Sequence, residues 1–161
     1  FDLWPETSKM ILVLLMFIGA CAGSTGGGFK ISRLLILCKA IPKQLSLVIH
    51  PREVKVIRMD GKPIDHNTLR STNVYLAIYF FILLVSTLLI SVDNFNLTTN
   101  FTAVASTLNN IGPGLDGVGP TRNFGMYSDF SKFVLMFDML AGRLELYPLL
   151  ILFMPSLWRR K

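Results

Sequence analysis

Two short segments carry the residue types that could do chemistry. The first, Ile18 to Lys30, reads Ile-Gly-Ala-Cys-Ala-Gly-Ser-Thr-Gly-Gly-Gly-Phe-Lys, and the second, Asn109 to Leu115, reads Asn-Asn-Ile-Gly-Pro-Gly-Leu. Neither offers a nucleophile beside a base. What such glycine-rich turns offer is backbone: without a Cβ in the way, carbonyl oxygens can converge on one point, the arrangement that replaces the hydration shell of a cation. A helix ending beside such a turn adds the partial negative charge of its carbonyl end, which also favours a cation. A helix C-cap followed by a tight turn uses the same residues and is the alternative for each segment alone. A third candidate is Arg143, a charge inside an otherwise apolar stretch.

Other chemistries find no support in the pattern. His50 and His66 lack metal-ligand spacing, Cys21 and Cys38 do not pair by any local logic, and no Ser-His-Asp or paired-carboxylate set can be assembled. Gly112-Pro-Gly-Leu-Asp-Gly117 matches G-x-G-x-x-G by letter, but no strand pattern precedes it and Pro113 disfavours the dinucleotide turn. Gly23 to Gly28 with Phe29 and Lys30 misses the phosphate-binding loop pattern, because the lysine is displaced from the last glycine. The chain is basic, at +6, yet aromatic and basic residues do not interleave as on a nucleic-acid surface. Asn96-Leu-Thr98 and Asn100-Phe-Thr102 are glycosylation sequons that mean nothing in a bacterial protein.

The elements that must position these turns read as membrane elements. Of 161 residues, 52% are hydrophobic and 16% charged, with a mean hydropathy of +0.52, poor in charge for a soluble domain. Val74 to Val92 holds no charge and is long enough to span a bilayer, and Phe133 to Leu157 is a second spanning candidate, interrupted by Asp138, Gly142, Arg143, Glu145, Pro148 and Pro155. Ile31 to Ile49 carries Arg33, Lys39, Pro42 and Lys43, so it is either a broken, shielded span or an amphipathic helix at the interface. The apolar run Met10 to Ala22, about 13 residues, falls short of the roughly 20 that crossing requires. A helix that enters and turns back fits that length, and its non-helical continuation then needs protein or water around it.

Charge sets the expected orientation. Nine of the sixteen Lys and Arg residues lie between Lys30 and Arg70 and three close the chain at Arg159, Arg160 and Lys161, whereas Asp93 to Phe130 holds only Arg122. The central linker and the C-terminus are then cytoplasmic, and Asp93 to Phe130 is outside. Within the linker, the alternation Glu53-Val-Lys-Val-Ile-Arg58, the Asp60-Gly61 turn and Lys62-Pro-Ile64 predict a small hairpin, with a disordered link as the alternative. On the outer side, Thr98 to Asn110 predicts a short helix capped by Thr99 or Asn100, ending in the second glycine turn. The order from Met10 is thus short helix, glycine loop, spanning helix, cytoplasmic link, spanning helix, short helix, glycine loop, spanning helix. Repetition of that unit favours a pore over two unrelated caps.

Gly19 to Gly28, Asn109 to Gly114 and Ala141-Gly-Arg-Leu-Glu-Leu-Tyr-Pro148 together resemble the C-terminal third of the membrane subunit of Trk-type potassium transporters, of the Trk/Ktr/HKT superfamily. The resemblance extends over essentially the whole chain. It implies an all-α membrane protein of potassium-channel-like M1-P-M2 repeats with re-entrant pore loops, here a partial third repeat and a complete fourth. Residues 1–49 would hold the pore helix, filter and broken M2 of the third repeat. Residues 50–69 would be the cytoplasmic linker, 70–158 the fourth repeat, and 159–161 the basic cytoplasmic end.

The same resemblance implies filter segments at Cys21, Ala22, Gly23, Ser24 and Thr25 and at Asn110, Ile111, Gly112, Pro113 and Gly114. K+, the transported ion, would meet the carbonyls of Ala22, Gly23, Ile111 and Gly112, and no organic cofactor is implied. It makes Arg143 a gating residue beneath the filter and turns about Leu37 to Leu47, with Lys39, Pro42 and Lys43, into an intramembrane gating loop. From geometry alone, Asp138 and Glu145 fall on nearly one helix face and Arg143 on the opposite one, so Arg143 must meet water, a pore or another segment. A salt bridge stapling two helices is its alternative role, and packing or folding is the expected role of the two carboxylates. Expected partners are membrane lipid, the remaining N-terminal repeats of the same polypeptide, a second copy in a homodimer and a cytoplasmic nucleotide-binding regulatory subunit, with no nucleic acid. The expected location is the bacterial inner membrane, crossed several times. From another class, a membrane-embedded scaffold or enzyme subunit would use the same glycines for helix packing.

Overall fold

A computed structural model describes residues 1, 3–19, 21, 27–50, 57–59, 62–144 and 151. Among these, five α-helices and one two-stranded ribbon follow in the order α1 (Glu6–Phe17), α2 (Ile31–Ile49), β1 (Arg58–Met59), β2 (Lys62–Pro63), α3 (His66–Ile90), α4 (Leu97–Leu108) and α5 (Asp129–Leu144). The ribbon is antiparallel, with Arg58 opposite Pro63 and Met59 opposite Lys62. It is the expected hairpin in shortened form. Its Asp60-Gly61 turn and the preceding 51–56 lie outside the described residues.

Helix α3 is the long apolar element. The stretch Asn67–Asp93 is 27 residues with a mean hydropathy of 2.4, long and apolar enough to cross a membrane. One face is buried: Thr72, Tyr75, Tyr79, Leu83, Ser86 and Ile90, three or four residues apart, as a 3.6-residue period requires. The opposite face leaves Phe81, Leu84 and Leu88 exposed at 67%, 65% and 73%. Helix α5 repeats the pattern with Ser131, Val134, Leu135, Asp138 and Ala141 buried. The part of the second spanning candidate from Glu145 on is outside the described residues, residue 151 apart.

Helix α4 lies at the centre, packed between α3 and α5 and touched by α1. Nine of its twelve residues are buried, including Thr99, Asn100, Thr102, Ser106 and Thr107. A helix this short and this enclosed cannot cross a bilayer but can end inside one. Its cap is Asn96, whose side chain accepts from the Thr99 amide at 2.8 Å, and not Thr99 or Asn100. Several capping residue types stand in a row from Asn94 to Asn100. The left-handed turn at Asn94 (φ 57°) decides where the helix begins, by setting the path into it.

The expected interruption of the second helix between Leu37 and Leu47 is corrected: α2 runs unbroken from Ile31 to Ile49 with Pro42 inside it. Proline removes one backbone donor, that to the Cys38 carbonyl, but leaves the flanking turns free to continue. Aromatic contacts fasten this half of the chain to the other. Phe17 meets Tyr79 edge to face at 6.4 Å, Phe29 lies against Tyr75 and Tyr79 at 6.2 and 6.3 Å, and the Arg33 guanidinium sits 3.8 Å over the Tyr75 ring. Such cation–π pairs contribute about 0.5–2 kcal/mol each.

Candidate functional site

The second glycine turn leaves α4 at its buried carbonyl end. Asn109 caps the helix, Asn110 turns into the left-handed region (φ 54°), and Gly112 follows at φ 115°. That last conformation is one that side chains rarely adopt, and a Cβ there would meet nothing within 4 Å, so glycine is needed for the backbone and not for space. Ile111, Gly112 and Pro113 form an exposed edge, while Gly114 and Leu115 are buried again against α4. At Gly114 the reason is space: a Cβ would stand 2.6 Å from Val118 Cγ2 and 3.0 Å from Thr102 Oγ1.

Each asparagine at the base of the turn is held by a different helix. Tyr79 Oη, from α3, donates to Asn109 Oδ1 at 2.9 Å, and Asn109 Nδ2 donates to the Ala105 carbonyl at 2.8 Å. Asn110 Nδ2 donates to the Met139 carbonyl of α5 at 3.1 Å. A groove of about 480 Å³ beside the turn is lined by Ile111, Gly112, Met136, Met139 and Lys132. The Gly112 oxygen, expected to face an ion, accepts from Ser106 Oγ at 2.6 Å, which occupies one of its two lone pairs.

The two glycine segments converge. Gly19 N donates to the Phe29 carbonyl at 3.0 Å, so the chain that leaves α1 returns to within one hydrogen bond of its starting point. Gly27 and Gly28 then lie against the second turn. A Cβ on Gly27 would stand 2.9 Å from the Asn109 oxygen and 2.8 Å from Asn110 Nδ2, and one on Gly28 (φ 82°) would overlap Asn109 Oδ1. Cys21 is exposed, while Ala22, Gly23, Ser24 and Thr25 lie outside the described residues.

Arg143 stands in the last turn of α5 and is exposed. Its neighbour Gly142 abuts the end of α4, where an added Cβ would overlap the Leu108 oxygen and lie 2.8 Å from its carbonyl carbon. The arginine is therefore one residue from the contact between α5 and the base of the turn. On α2, Lys39 and Pro42 are exposed and Lys43 half-buried, and Lys39 Nζ donates to the Arg58 carbonyl at 2.9 Å, tying the helix to the ribbon. Asp138 is fully buried and accepts from Ser86 Oγ at 2.7 Å, a link between α5 and α3 that fits the structural role expected of it. Glu145 is outside the described residues.

At the N-terminal end of α4, the Asp116 carboxylate accepts from Asn96 Nδ2 and from Thr99 Oγ1 at 3.2 Å. The Asn96 bond, aided by Thr99 and the charges of Arg122 and Lys9, holds this carboxyl below the ordinary carboxylate range. Tyr127 Oη donates to Asn100 Oδ1 at 3.0 Å, and burial pushes its phenol up to about 12. Reasoning from sequence gave no role to Tyr79 or to the hydroxyls of Thr102 and Ser106, and named Gly142 only as an interruption and Thr99 only as a cap. The hydroxyls had a visible signal, a spacing of three and four that puts them on one face of the helix.

Known proteins resemble this chain in sequence and fold. The chain is 38% identical to the Trk system potassium uptake protein TrkH of Vibrio parahaemolyticus and 37% identical to that of Escherichia coli, each match covering 97% of this chain and 32% of the relative. It is 33% identical to the Trk system potassium uptake protein TrkG of Escherichia coli, over the same shares. The crystal structure of the potassium transporter TrkH from Vibrio parahaemolyticus superposes with a TM-score of 0.86 over 97% of this chain and 33% of that one. The chain thus spans about a third of the length of the relatives it matches. The family model described as TrkH, cation transport protein, matches residues 1–160, and with relatives at this identity the chain belongs to the TrkH family of cation transport proteins.

Proposed function

We propose that this chain supplies part of the K+ pathway of a Trk-type uptake system in the bacterial inner membrane, with Asn110–Gly114 as one filter segment and Cys21–Thr25 as another. The observation that carries the proposal is the Asn109–Gly114 turn: it leaves a helix too short to span at that helix's buried end, takes at Gly112 a conformation that side chains rarely adopt, and meets Gly27 and Gly28 of the other glycine segment. A backbone turn beside a helix's carbonyl end, met by the end of a second glycine segment, supplies oxygens and partial negative charge, the requirements for replacing cation hydration. In this proposal the elements group as a partial and a complete M1-P-M2 repeat, and further repeats of the polypeptide close the ring. The exposed apolar face of α3 meets lipid. Arg143 bars the path beneath the filter, with α2 around Lys39, Pro42 and Lys43 as the second gating element. A second copy and a cytoplasmic nucleotide-binding subunit are the proposed partners.

The test is K+ and Na+ uptake by the intact polypeptide carrying Gly112→Ser, in cells lacking other K+ uptake. Because a side chain at φ 115° is strained although space is open, the substitution acts on the turn's conformation and not by collision. The K+/Na+ ratio should fall in protein that reaches the membrane in normal amount. An unchanged ratio would remove the filter assignment and leave glycine as a packing residue.

A further inference from the structure

The chain beyond the filter turn runs back along α4, and three hydroxyls of that helix meet it in register. Ser106 Oγ donates to the Gly112 carbonyl at 2.6 Å, Thr102 Oγ1 accepts from the Leu115 amide at 3.0 Å, and Thr99 Oγ1 accepts from the Gly117 amide at 3.2 Å while donating to Asp116. All three are buried, at 0%, 2% and 2% exposure. Spacings of three and four put them on one helix face, so an antiparallel strand of chain laid along that face meets each in turn.

Ser106, like Thr99 and Ser86, gives its proton to another segment, whereas four helical threonines around it do not. A serine or threonine inside a helix ordinarily turns back to the carbonyl one turn earlier. Thr72, Thr87, Thr102 and Thr107 do this, donating to Thr68, Leu83, Thr98 and Ala103 at 2.7–2.9 Å. Ser106 gives its proton to the filter turn instead. The carbonyl it holds belongs to Gly112, which lacks a Cβ and so leaves the torsion before that carbonyl free to shift, while Pro113 fixes the torsion on the far side of the peptide.

We propose that Thr99, Thr102 and Ser106 are positioning residues for the filter, and that Ser106, by fixing the orientation of the Gly112 carbonyl, is a determinant of K+ over Na+ discrimination. The proposal rests on the filter assignment above. With the hydroxyl in place, the Gly112 oxygen is held back toward the helix and cannot collapse around a smaller ion. Removing the hydroxyl frees the peptide to turn inward, and the coordination shell then fits Na+ as well as K+.

The experiment compares K+ and Na+ uptake by the intact polypeptide as wild type, Ser106→Ala, Thr107→Ala and Gly112→Ser, each normalised to membrane abundance. Loss of one hydrogen bond of ordinary strength predicts a fall of about two- to tenfold in the K+/Na+ ratio for Ser106→Ala. Thr107→Ala removes a hydroxyl bonded only within α4, to Ala103 and Val104, and should leave the ratio unchanged. An unchanged ratio in Ser106→Ala alongside a changed one in Gly112→Ser overturns this proposal and keeps the filter assignment. Unchanged ratios in both remove the filter assignment itself. A fall in Thr107→Ala equal to that in Ser106→Ala also overturns the proposal, since the effect would then belong to the helix and not to the filter contact. If Ser106→Ala is not recovered in the membrane, Thr102→Val carries the same test at Leu115, with a lowered ratio in support and an unchanged one against.

Discussion

Gly142→Ala separates two accounts of a glycine in the last turn of α5. If Gly142 were an incidental helix residue, alanine would stabilise the protein by about 0.8–1 kcal/mol, the helix-propensity difference. The structure predicts the opposite sign. A Cβ at Gly142 would overlap the Leu108 oxygen and stand 2.8 Å from the Leu108 carbonyl carbon and 2.7 Å from Asn110 Nδ2. Two of these atoms are backbone at the end of a buried helix, so they cannot step aside as a flexible side chain would. Overpacking of this kind costs about 1–3 kcal/mol, and displacing Asn110 also threatens its bond to the Met139 carbonyl, worth about 0.5–1.5 kcal/mol. Set against the propensity gain, the net loss is about 1–3 kcal/mol. Thermal unfolding of the detergent-solubilised intact polypeptide, followed by size-exclusion profile, gives the sign directly. Under the proposed filter assignment K+ uptake should fall with it, because the displaced atoms carry the base of the Asn109–Gly114 turn. An apparent Tm equal to or above wild type would refute the close packing of α5 on α4 on which the geometry depends.

Three further outcomes are expected. Arg143→Ala should raise basal K+ flux at normal expression if the guanidinium bars the path, and unaltered flux would count against its gating role. Tyr79→Phe leaves the buried Asn109 Oδ1 without its donor and should destabilise by about 1–3 kcal/mol, read as a lower Tm in the same assay, whereas a neutral result would deny the bond. Asp116, held below the ordinary carboxylate range by Asn96, favours the folded state when ionised, so its contribution is present above about pH 4 and fades as pH falls through its folded value. Between pH 5 and pH 3 the stability of wild type should therefore fall more steeply than that of Asp116→Asn, which keeps the left-handed backbone (φ 55°) without the titrating group. Parallel profiles would mean that the carboxylate bonds do not contribute.

The hairpin, the long apolar helix, the two short helices and the glycine turn after the second of them were legible, because each rests on a local signal: an Asp-Gly turn, an uncharged span, a run too short to cross, glycine after helix. Where local signals compete, they misled. Asn96, Thr99 and Asn100 are all capping types, and the choice of Asn96 follows from the turn at Asn94 that precedes it. Pro42 announced a break that α2 does not contain, since one missing amide donor removes a single bond while the surrounding turns remain intact.

By itself the sequence determined that this is a membrane chain and which family it belongs to, and it singled out two glycine-rich segments. Only the tertiary structure decided what holds those turns. Tyr79 to Asn109 spans 30 residues, Asn110 to Met139 spans 29 and Ser86 to Asp138 spans 52. Periodicity shows that a helix buries one face but not what that face meets. Within the buried stripe of α3, it is the tertiary partners that set Tyr79 on Asn109 and Ser86 on Asp138. The Ser106 hydroxyl shows the same limit: its residue type permits a bond to its own helix or to another segment, and only the folded path of Gly112 settles which.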